Sequence, residues 1–138
     1  MKKVILIREF IQKVWNEKNF DSIKFFVAPA YEIFKDPLDP WEGRTLNPEE
    51  FAMRLDYTFD SFPDIHFEIK TIVADGNDVD ITWIMTGTNS GNIGAFLPTG
   101  KSINTTGRTI YHLKNGKVSG HSQVYDRTRI MKQLGFIK

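Results

Sequence analysis

The first sixteen residues place apolar side chains at the spacing of an α-helix. The apolar face consists of Val4, Ile7, Phe10, Ile11, Val14 and Trp15. Charged and amide side chains lie on the opposite face, so this pattern predicts an amphipathic first helix that packs on a core. A second, short helix is predicted from Asp21, a potential N-cap, to about Phe26, before Pro29.

The third predicted helix has the strongest start signal. Asn47 can cap it, Pro48 suits the first helical position, and Glu50 can reach back to the cap. The buried face is expected to contain Phe51, Leu55, Thr58, Phe59 and Phe62, with Pro63 after it. A long helix therefore separates two parts of the chain that read as strands.

From Ile65 onward the apolar period changes to two, which is typical of strands. Residues 65–73 alternate apolar with polar, residues 75–78 predict a turn, and residues 79–85 alternate again. A later strand reaches Asn115-Gly116, the dipeptide best suited to a type I′ turn, and returns through residues 118–125. With a short strand at residues 31–35, the order predicts an α+β fold. We expect a curved sheet, wrapped by three helices, whose concave face forms an apolar pocket.

Composition limits the function further. The chain has 138 residues and 41% hydrophobic content, so we expect one domain over residues 1–138. A net charge of +1 gives no reason to expect nucleic acid or an anionic membrane. There is no cysteine and the three histidines are scattered, so we expect no metal site. Arg8 and Glu9 interrupt the N-terminal apolar run before it is long enough for a signal peptide, and a cytoplasmic protein is expected.

One stretch matches the loose pattern of a phosphate-binding loop. Residues 95–102 read AFLPTGKS, and in such a loop backbone N–H groups would hold phosphates before a helix. Ser102 is instead followed by a β-rich run, and Pro98 removes one N–H. We therefore reject nucleotide binding and interpret the stretch as a connection between two strands.

Asp126 is the most prominent candidate for chemistry. It follows the last predicted strand and precedes the helical segment RTRIMKQLG. One interpretation is an N-cap, a position that aspartate fills well. The other is a carboxylate at the mouth or floor of the cone, where it could act as a general acid or base. The two interpretations are compatible.

Several short motifs occur in an order that resembles a known family. They are Phe62-Pro63-Asp64, Trp83-x3-Gly87-Thr88, Gly91, Gly94, Pro98-Thr99-Gly100-Lys101, Gly116-Lys117-Val118, Asp126-Arg127 and Gln133-Leu134-Gly135. In this order they resemble the SnoaL-like polyketide cyclase (ester cyclase) family of the NTF2-like superfamily. The resemblance implies an α+β cone, cofactor-free acid–base chemistry on a hydrophobic carbonyl compound, and a homodimer. It also implies that Asp126 acts as general acid or base in an intramolecular aldol closure.

The expected ligand site follows from strand parity and from loops near the cone. Trp83 shares a face with Met85 and Asn89, and Ser122 shares parity with Asp126. Arg108 is expected either on the surface or inside the cone, and His121 either in the pocket or against helices or solvent. The predicted ligand-binding residues are Trp41, Trp83, Met85, Asn89, Phe96, Arg108, His121 and Ser122.

Two other functions stay open. Members of the family often carry a histidine at the position of Asn89, and Glu and Trp at the positions of Gly120 and Ser122. Without those polar groups, the cone would suit a non-catalytic module that binds a hydrophobic ligand or forms a dimer. A hydratase or isomerase would need a second carboxylate or a tyrosine in the pocket, for which Tyr31, Tyr57 and Tyr111 are available.

Overall fold

The computed structural model describes residues 1–138 and contains four α-helices and six β-strands. The helices are α1 (Lys2–Phe10), α2 (Ile23–Phe26), α3 (Pro48–Ser61) and α4 (Arg127–Leu134). A π-helical segment, Ile11–Asn16, continues α1, and a 3₁₀ turn, Phe20–Ser22, leads into α2. The strands are β1 (Val27–Lys35), β2 (Thr45–Leu46), β3 (His66–Asp75), β4 (Asp78–Thr88), β5 (Ser102–Lys114) and β6 (Lys117–Tyr125).

All six strands form one sheet in the order β2-β1-β6-β5-β4-β3. Neighbouring strands are antiparallel except β1 and β6, which run parallel. The α+β prediction is confirmed, and the sheet is mixed. It brings β1 beside β6 although 81 residues lie between Lys35, the end of β1, and Lys117, the start of β6. Four helices accompany the sheet, rather than the three that were expected, because a further helix, α4, follows β6 directly.

The predicted apolar face of the first helix forms much of the core. Ile7 and Phe10 are fully buried, and the π-helical segment adds Ile11, Val14 and Trp15. The Phe10 ring lies 5.5 Å from the ring of Tyr111 on β5, edge to face. Helix and sheet therefore share one continuous hydrophobic core.

The start of α3 has the predicted capping box. The backbone N–H of Glu50 donates to Oδ1 of Asn47 at 2.8 Å, and the N–H of Asn47 donates to Oε1 of Glu50 at 3.0 Å. These two bonds satisfy donors that have no partner within the helix. The cap fixes where α3 begins, and hence which of its residues face the sheet.

Two bulges change the parity of the strands. On β3 the register shifts between Ile69 and Thr71, so Val73 is 60% exposed although the predicted alternation placed it with Ile69. On β6 a shift near Ser119 sets the parity of the rest of the strand. Beyond it, His121 is buried on the helix-covered inner face. The inner face then continues through alternate residues of β6.

The turn between β5 and β6 has the predicted backbone. Asn115 and Gly116 both have positive φ angles, 53° and 75°, as a type I′ turn requires.

None of the helices is both long and apolar enough to cross a bilayer.

Candidate functional site

A cavity of about 80 Å³ lies between the concave face of the sheet and the helices. Its walls are mostly apolar, and one end is polar. The apolar and aromatic lining comprises Ile11, Trp15, Ile65, Phe67, Ile69, Ile81, Trp83, Met85, Tyr111 and Tyr125. The polar lining comprises Asp39, Arg54, Thr58, Thr109 and Gln123.

A buried carboxylate organises the polar end. Asp36, which follows β1, is 0% exposed. Its Oδ2 accepts hydrogen bonds from Arg54 Nη2 at 3.0 Å, His121 Nε2 at 2.9 Å and Gln123 Nε2 at 2.8 Å. Its Oδ1 accepts from Arg127 Nη2 at 2.8 Å. One side chain thus connects β1, α3, β6 and α4, and its charge is compensated by two guanidinium groups.

Arg54 is the cation that lines the cavity. Its Nη2 also donates to Oδ2 of Asp39 at 3.0 Å, while its Nε is buried without a hydrogen-bond partner. Burial alone would lower the pKa of Arg54, but nearby Asp39, Tyr31 and Asp36 outweigh it and raise that pKa. The guanidinium therefore stays charged, and its buried Nε–H has no protein acceptor.

Asp39 is the carboxylate that lines the same cavity. Its Oδ1 accepts from the backbone N–H of Trp41 at 2.8 Å, which fixes the loop after β1. Its side chain is 15% exposed, in contrast to that of Asp36. A base with access to a ligand and an adjacent cationic donor are the two groups that proton transfer next to a carbonyl needs.

His121 lies behind this pair and is hydrogen-bonded at both ring nitrogens. Nε2 faces Asp36, and Nδ1 lies 2.6 Å from the hydroxyl of Tyr31. Burial lowers the pKa of His121 and raises the pKa of Tyr31. A neutral ring with its proton on Nε2 fits both contacts, because it donates to Asp36 and accepts from Tyr31. His121 thus helps to hold Asp36 and does not line the cavity.

The lowered pKa of His121 predicts a loss of stability toward acid. Below its ordinary value of 6.5 the unfolded chain binds a proton that the folded chain excludes, so the free energy of unfolding falls as the pH falls. We expect urea denaturation to show a decline from pH 7 toward pH 5 that is steeper in the wild type than in His121→Gln. His66→Gln, at an exposed position, should keep the wild-type slope. Parallel slopes for the wild type and His121→Gln would contradict this assignment.

Two tyrosines add hydroxyl groups to the cavity. Tyr111 and Tyr125 line it, and neither hydroxyl has a hydrogen bond to protein. Burial raises the pKa of Tyr111 well above its ordinary value and raises the pKa of Tyr125 to about 12. Both phenols are therefore neutral near pH 7 and can donate to a ligand oxygen.

Trp83 and Met85, two of the predicted ligand-binding residues, do line the cavity. The indole Nε1 of Trp83 donates to Oγ1 of Thr109 at 2.9 Å, and Thr109 donates to Oε1 of Gln123 at 3.0 Å. Gln123 in turn donates to Asp36. A hydrogen-bonded chain thus joins the aromatic wall to the buried carboxylate.

Three other predicted ligand residues lie away from the cavity lining. Asn89 is buried, and its side chain joins Ser61 O to the backbone N–H of Thr99, so it anchors the connection between β4 and β5. Phe96 is 56% exposed and packs on the ring of Phe136. The ring of Trp41 packs edge to face on Tyr57. These contacts are within the protein, and the predicted ligand roles of these residues stay predictions.

Asp126 and Arg108 lie on the outer side of the sheet. Asp126 is exposed, and its Oδ1 accepts from the backbone N–H of Arg129 at 2.9 Å, so it caps α4. Arg108 pairs with Asp80, and Ser122 is half-buried on the same outward parity as Asp126. Asp126 lies apart from the cavity because side chains alternate along β6 and Tyr125, the residue before it, points inward and lines the cavity. The cap interpretation accounts for the contacts of Asp126, and its catalytic role stays a prediction.

The sequence did contain a signal for the residues that prediction missed. Asp36 and Asp39 each precede a proline directly after a predicted strand. Arg54 interrupts the apolar face of the third helix, three residues after Phe51. A lone arginine on a buried helical stripe needs a carboxylate partner, and two lay in the preceding loop. Gln123 had no comparable signal.

Comparison with known proteins gives the family. The model of the family of SnoaL-like polyketide cyclases matches residues 5–134. A proposed polyketide cyclase from Acidithiobacillus ferrooxidans is 36% identical, with a TM-score of 0.91 over 97% of this chain and 94% of that chain.

More distant structures share the fold. A proposed SnoaL-like polyketide cyclase from Jannaschia sp. CCS1 is 16% identical, with a TM-score of 0.84 over 99% of this chain and 94% of that one. IdmH of Streptomyces antibioticus, a proposed polyketide cyclase, is 21% identical, with a TM-score of 0.76 over 94% and 96%. A search of the curated proteins finds no match. On the family match and the similarity to the Acidithiobacillus protein, the chain belongs to the SnoaL-like polyketide cyclase family and has its NTF2-like cone fold.

Proposed function

We propose that this protein is an acid–base enzyme that forms the enolate of a hydrophobic carbonyl compound. The observation that carries the proposal is the polar end of the cavity, where the Asp39 carboxylate lies beside Arg54, whose Nε–H has no partner. A base and an unused donor at the polar end of an apolar cavity are the parts that an enolisation needs.

In the proposed step, Asp39 removes a proton from the carbon next to the carbonyl. The electron pair of that C–H bond forms the C=C bond of the enolate, and the negative charge develops on the carbonyl oxygen. The Arg54 guanidinium and the Tyr111 hydroxyl donate to this oxygen. In an aldol closure the enolate carbon then attacks a second carbonyl of the same molecule, and Asp39 returns the proton to the new alkoxide.

A second candidate function, an isomerase, shares the first half of this step. The observation that favours it is Tyr111, which lines the same cavity as Asp39 and whose hydroxyl makes no hydrogen bond within the protein. Return of the proton to a different carbon would then complete a double-bond shift. A non-catalytic binding protein, in contrast, would hold the carbonyl compound without exchanging its protons.

The family resemblance also leads us to propose a homodimer. Val73 and Val124, each 60% exposed on the sheet, are apolar side chains that a second copy could cover. Sedimentation equilibrium should then give twice the 15.9 kDa mass of the chain. The mass of a single chain at all concentrations would argue against it.

Proton exchange tests the enzyme proposal without knowledge of the natural substrate. In D₂O, the wild type should incorporate deuterium into the methyl groups of acetone faster than buffer does, as followed by ¹H NMR. Tyr111→Phe should lower this rate by about 10²-fold because one donor to the enolate oxygen is lost. Its thermal stability should stay close to that of the wild type, since the hydroxyl has no partner in the protein.

Tyr57→Phe is the matched control. Tyr57 is 43% exposed, packs on Trp41 and does not line the cavity. It should leave the exchange rate unchanged. Equal rates for the wild type and Tyr111→Phe, or no exchange above buffer, would contradict the proposed enolisation.

A further inference from the structure

We propose that the ligand is a small, uncharged ketone or aldehyde whose oxygen accepts a hydrogen bond from the Arg54 guanidinium, and that Trp83 sets the upper limit of its size. The inference rests on the proposed function and adds to it the substrate class. The substrate class that we infer excludes a ligand with several fused rings. Three features of the cavity carry it: its volume, its charge and its unpaired donor.

The volume excludes a large ligand. At about 80 Å³, the cavity is far smaller than the roughly 300–1,000 Å³ of pockets that enclose drug-sized molecules. It is also about half of the roughly 150 Å³ that holds benzene in an engineered apolar cavity. A compact aliphatic carbonyl compound fits this space, whereas a fused ring system does not.

A row of packed aromatic rings keeps the cavity small. The ring of Phe67 lies 5.2 Å from those of both Trp15 and Trp83, and Trp83 lies 5.9 Å from Tyr125. The two contacts of Phe67 are edge to face and that of Trp83 with Tyr125 is tilted, and such packing stabilises each ring in its place. The cavity therefore does not depend on one loosely held side chain.

Trp83 is held especially firmly. Its Nε1–H is bonded to Thr109, and its indole covers Gly107 on β5 so closely that a Cβ there would collide with the indole ring. The indole thus has a hydrogen bond at one end and the backbone of β5 beneath it. For this reason we assign the size limit to Trp83 rather than to the more exposed Tyr125.

The charges at the polar end already balance. Asp36 and Asp39 face Arg54 and Arg127, and His121 next to Asp36 is neutral. A bound carboxylate would add a buried charge with no counter-ion, and a bound cation would face the guanidinium of Arg54. An uncharged ligand avoids both costs.

The Arg54 guanidinium favours a ligand that carries a hydrogen-bond acceptor. Guanidinium nitrogens only donate, and Nη2 of Arg54 is already engaged by Asp36 and Asp39. The Nε–H is buried without an acceptor in the protein, and Nη1 makes no hydrogen bond within the protein either, so this cavity-lining guanidinium can donate to a ligand oxygen. The donor thus selects a ligand that brings an oxygen to the polar end of the cavity.

The test is the ¹H–¹⁵N resonance of the Arg54 Nε–H group, assigned by its absence in Arg54→Lys. Acetone and butanone should shift this resonance in a saturable way. Acetate and acetophenone should not shift it in the wild type. The Nε–H of Arg108, which is bonded to Asp80 on the outer face, should stay in place throughout and serves as the control.

A second variant tests the role of Trp83. Trp83→Ala removes the whole indole, so acetophenone should gain the ability to shift the Arg54 resonance. Trp41→Ala, outside the cavity lining, should not confer this gain. A gain in both variants, or in neither, would contradict the size limit assigned to Trp83.

The outcomes separate this inference from the proposed function. A shift with acetate, or with acetophenone in the wild type, or no shift with either small ketone, would overturn the inference. Deuterium exchange into acetone without a shift at Arg54 would overturn the inference and leave the enolisation intact. A saturable shift without exchange would support the ligand class and contradict the enzyme proposal.

Discussion

Replacing Asp36 by alanine is expected to lower the free energy of unfolding by about 3–5 kcal/mol, because it removes one partner of a buried ionic network. Asp36 is 0% exposed and accepts bonds from Arg54, His121, Gln123 and Arg127. Alanine would leave the buried Arg54 with Asp39 as its remaining partner. Urea denaturation followed by circular dichroism measures the loss.

Asp80→Ala is the matched control. Asp80 also pairs with an arginine, Arg108, but on the solvent-exposed face of the sheet. Exposed pairs contribute little because water and salt screen them, so we expect a small change or none. Equal losses for the two variants would mean that burial of Asp36 is not what makes it important.

The second large effect concerns catalysis. Asp39→Asn should reduce deuterium exchange into acetone by about 10²–10⁴-fold, the usual contribution of a general base. Asparagine keeps an oxygen that can accept from the N–H of Trp41, so the loop should keep its conformation. A thermal melt in parallel shows whether the variant is folded at the assay temperature.

Asp126→Asn is the comparison that decides between two carboxylates. Asp126 is exposed and caps α4, and asparagine is also a good N-cap, so this variant should keep both exchange and stability. Loss of exchange in Asp126→Asn but not in Asp39→Asn would support the role that the family resemblance implies for Asp126. It would contradict the role proposed here for Asp39.

Much of the fold could be predicted because local patterns encode it. The apolar stripe of the first helix, the Asn47–Glu50 capping box and the Asn115-Gly116 turn are each specified by a few neighbouring residues. The prediction that Trp83 and Met85 share a face was also sound, since β4 alternates without a bulge. Periodicity suffices where the backbone is regular.

The candidate site was harder to predict because it depends on contacts between distant parts of the chain. The parallel pairing of β1 with β6 brings His121 to Asp36, 85 residues away. Arg54 approaches the same carboxylate from α3. Bulges also matter, because one extra residue reverses which side chains face inward. Nothing in the local pattern around Gln123 indicates its bond to Asp36.

The central claim is that carbonyl compounds bind at the Asp39–Arg54 end of the inner cavity. Intermolecular nuclear Overhauser effects from the methyl protons of acetone test it most directly. We predict cross-peaks to the ring protons of Phe67 and Tyr111, which line that cavity and not the outer groove. Cross-peaks confined to Arg108 and Val124, which share an open outer groove with Asp126, would contradict the claim.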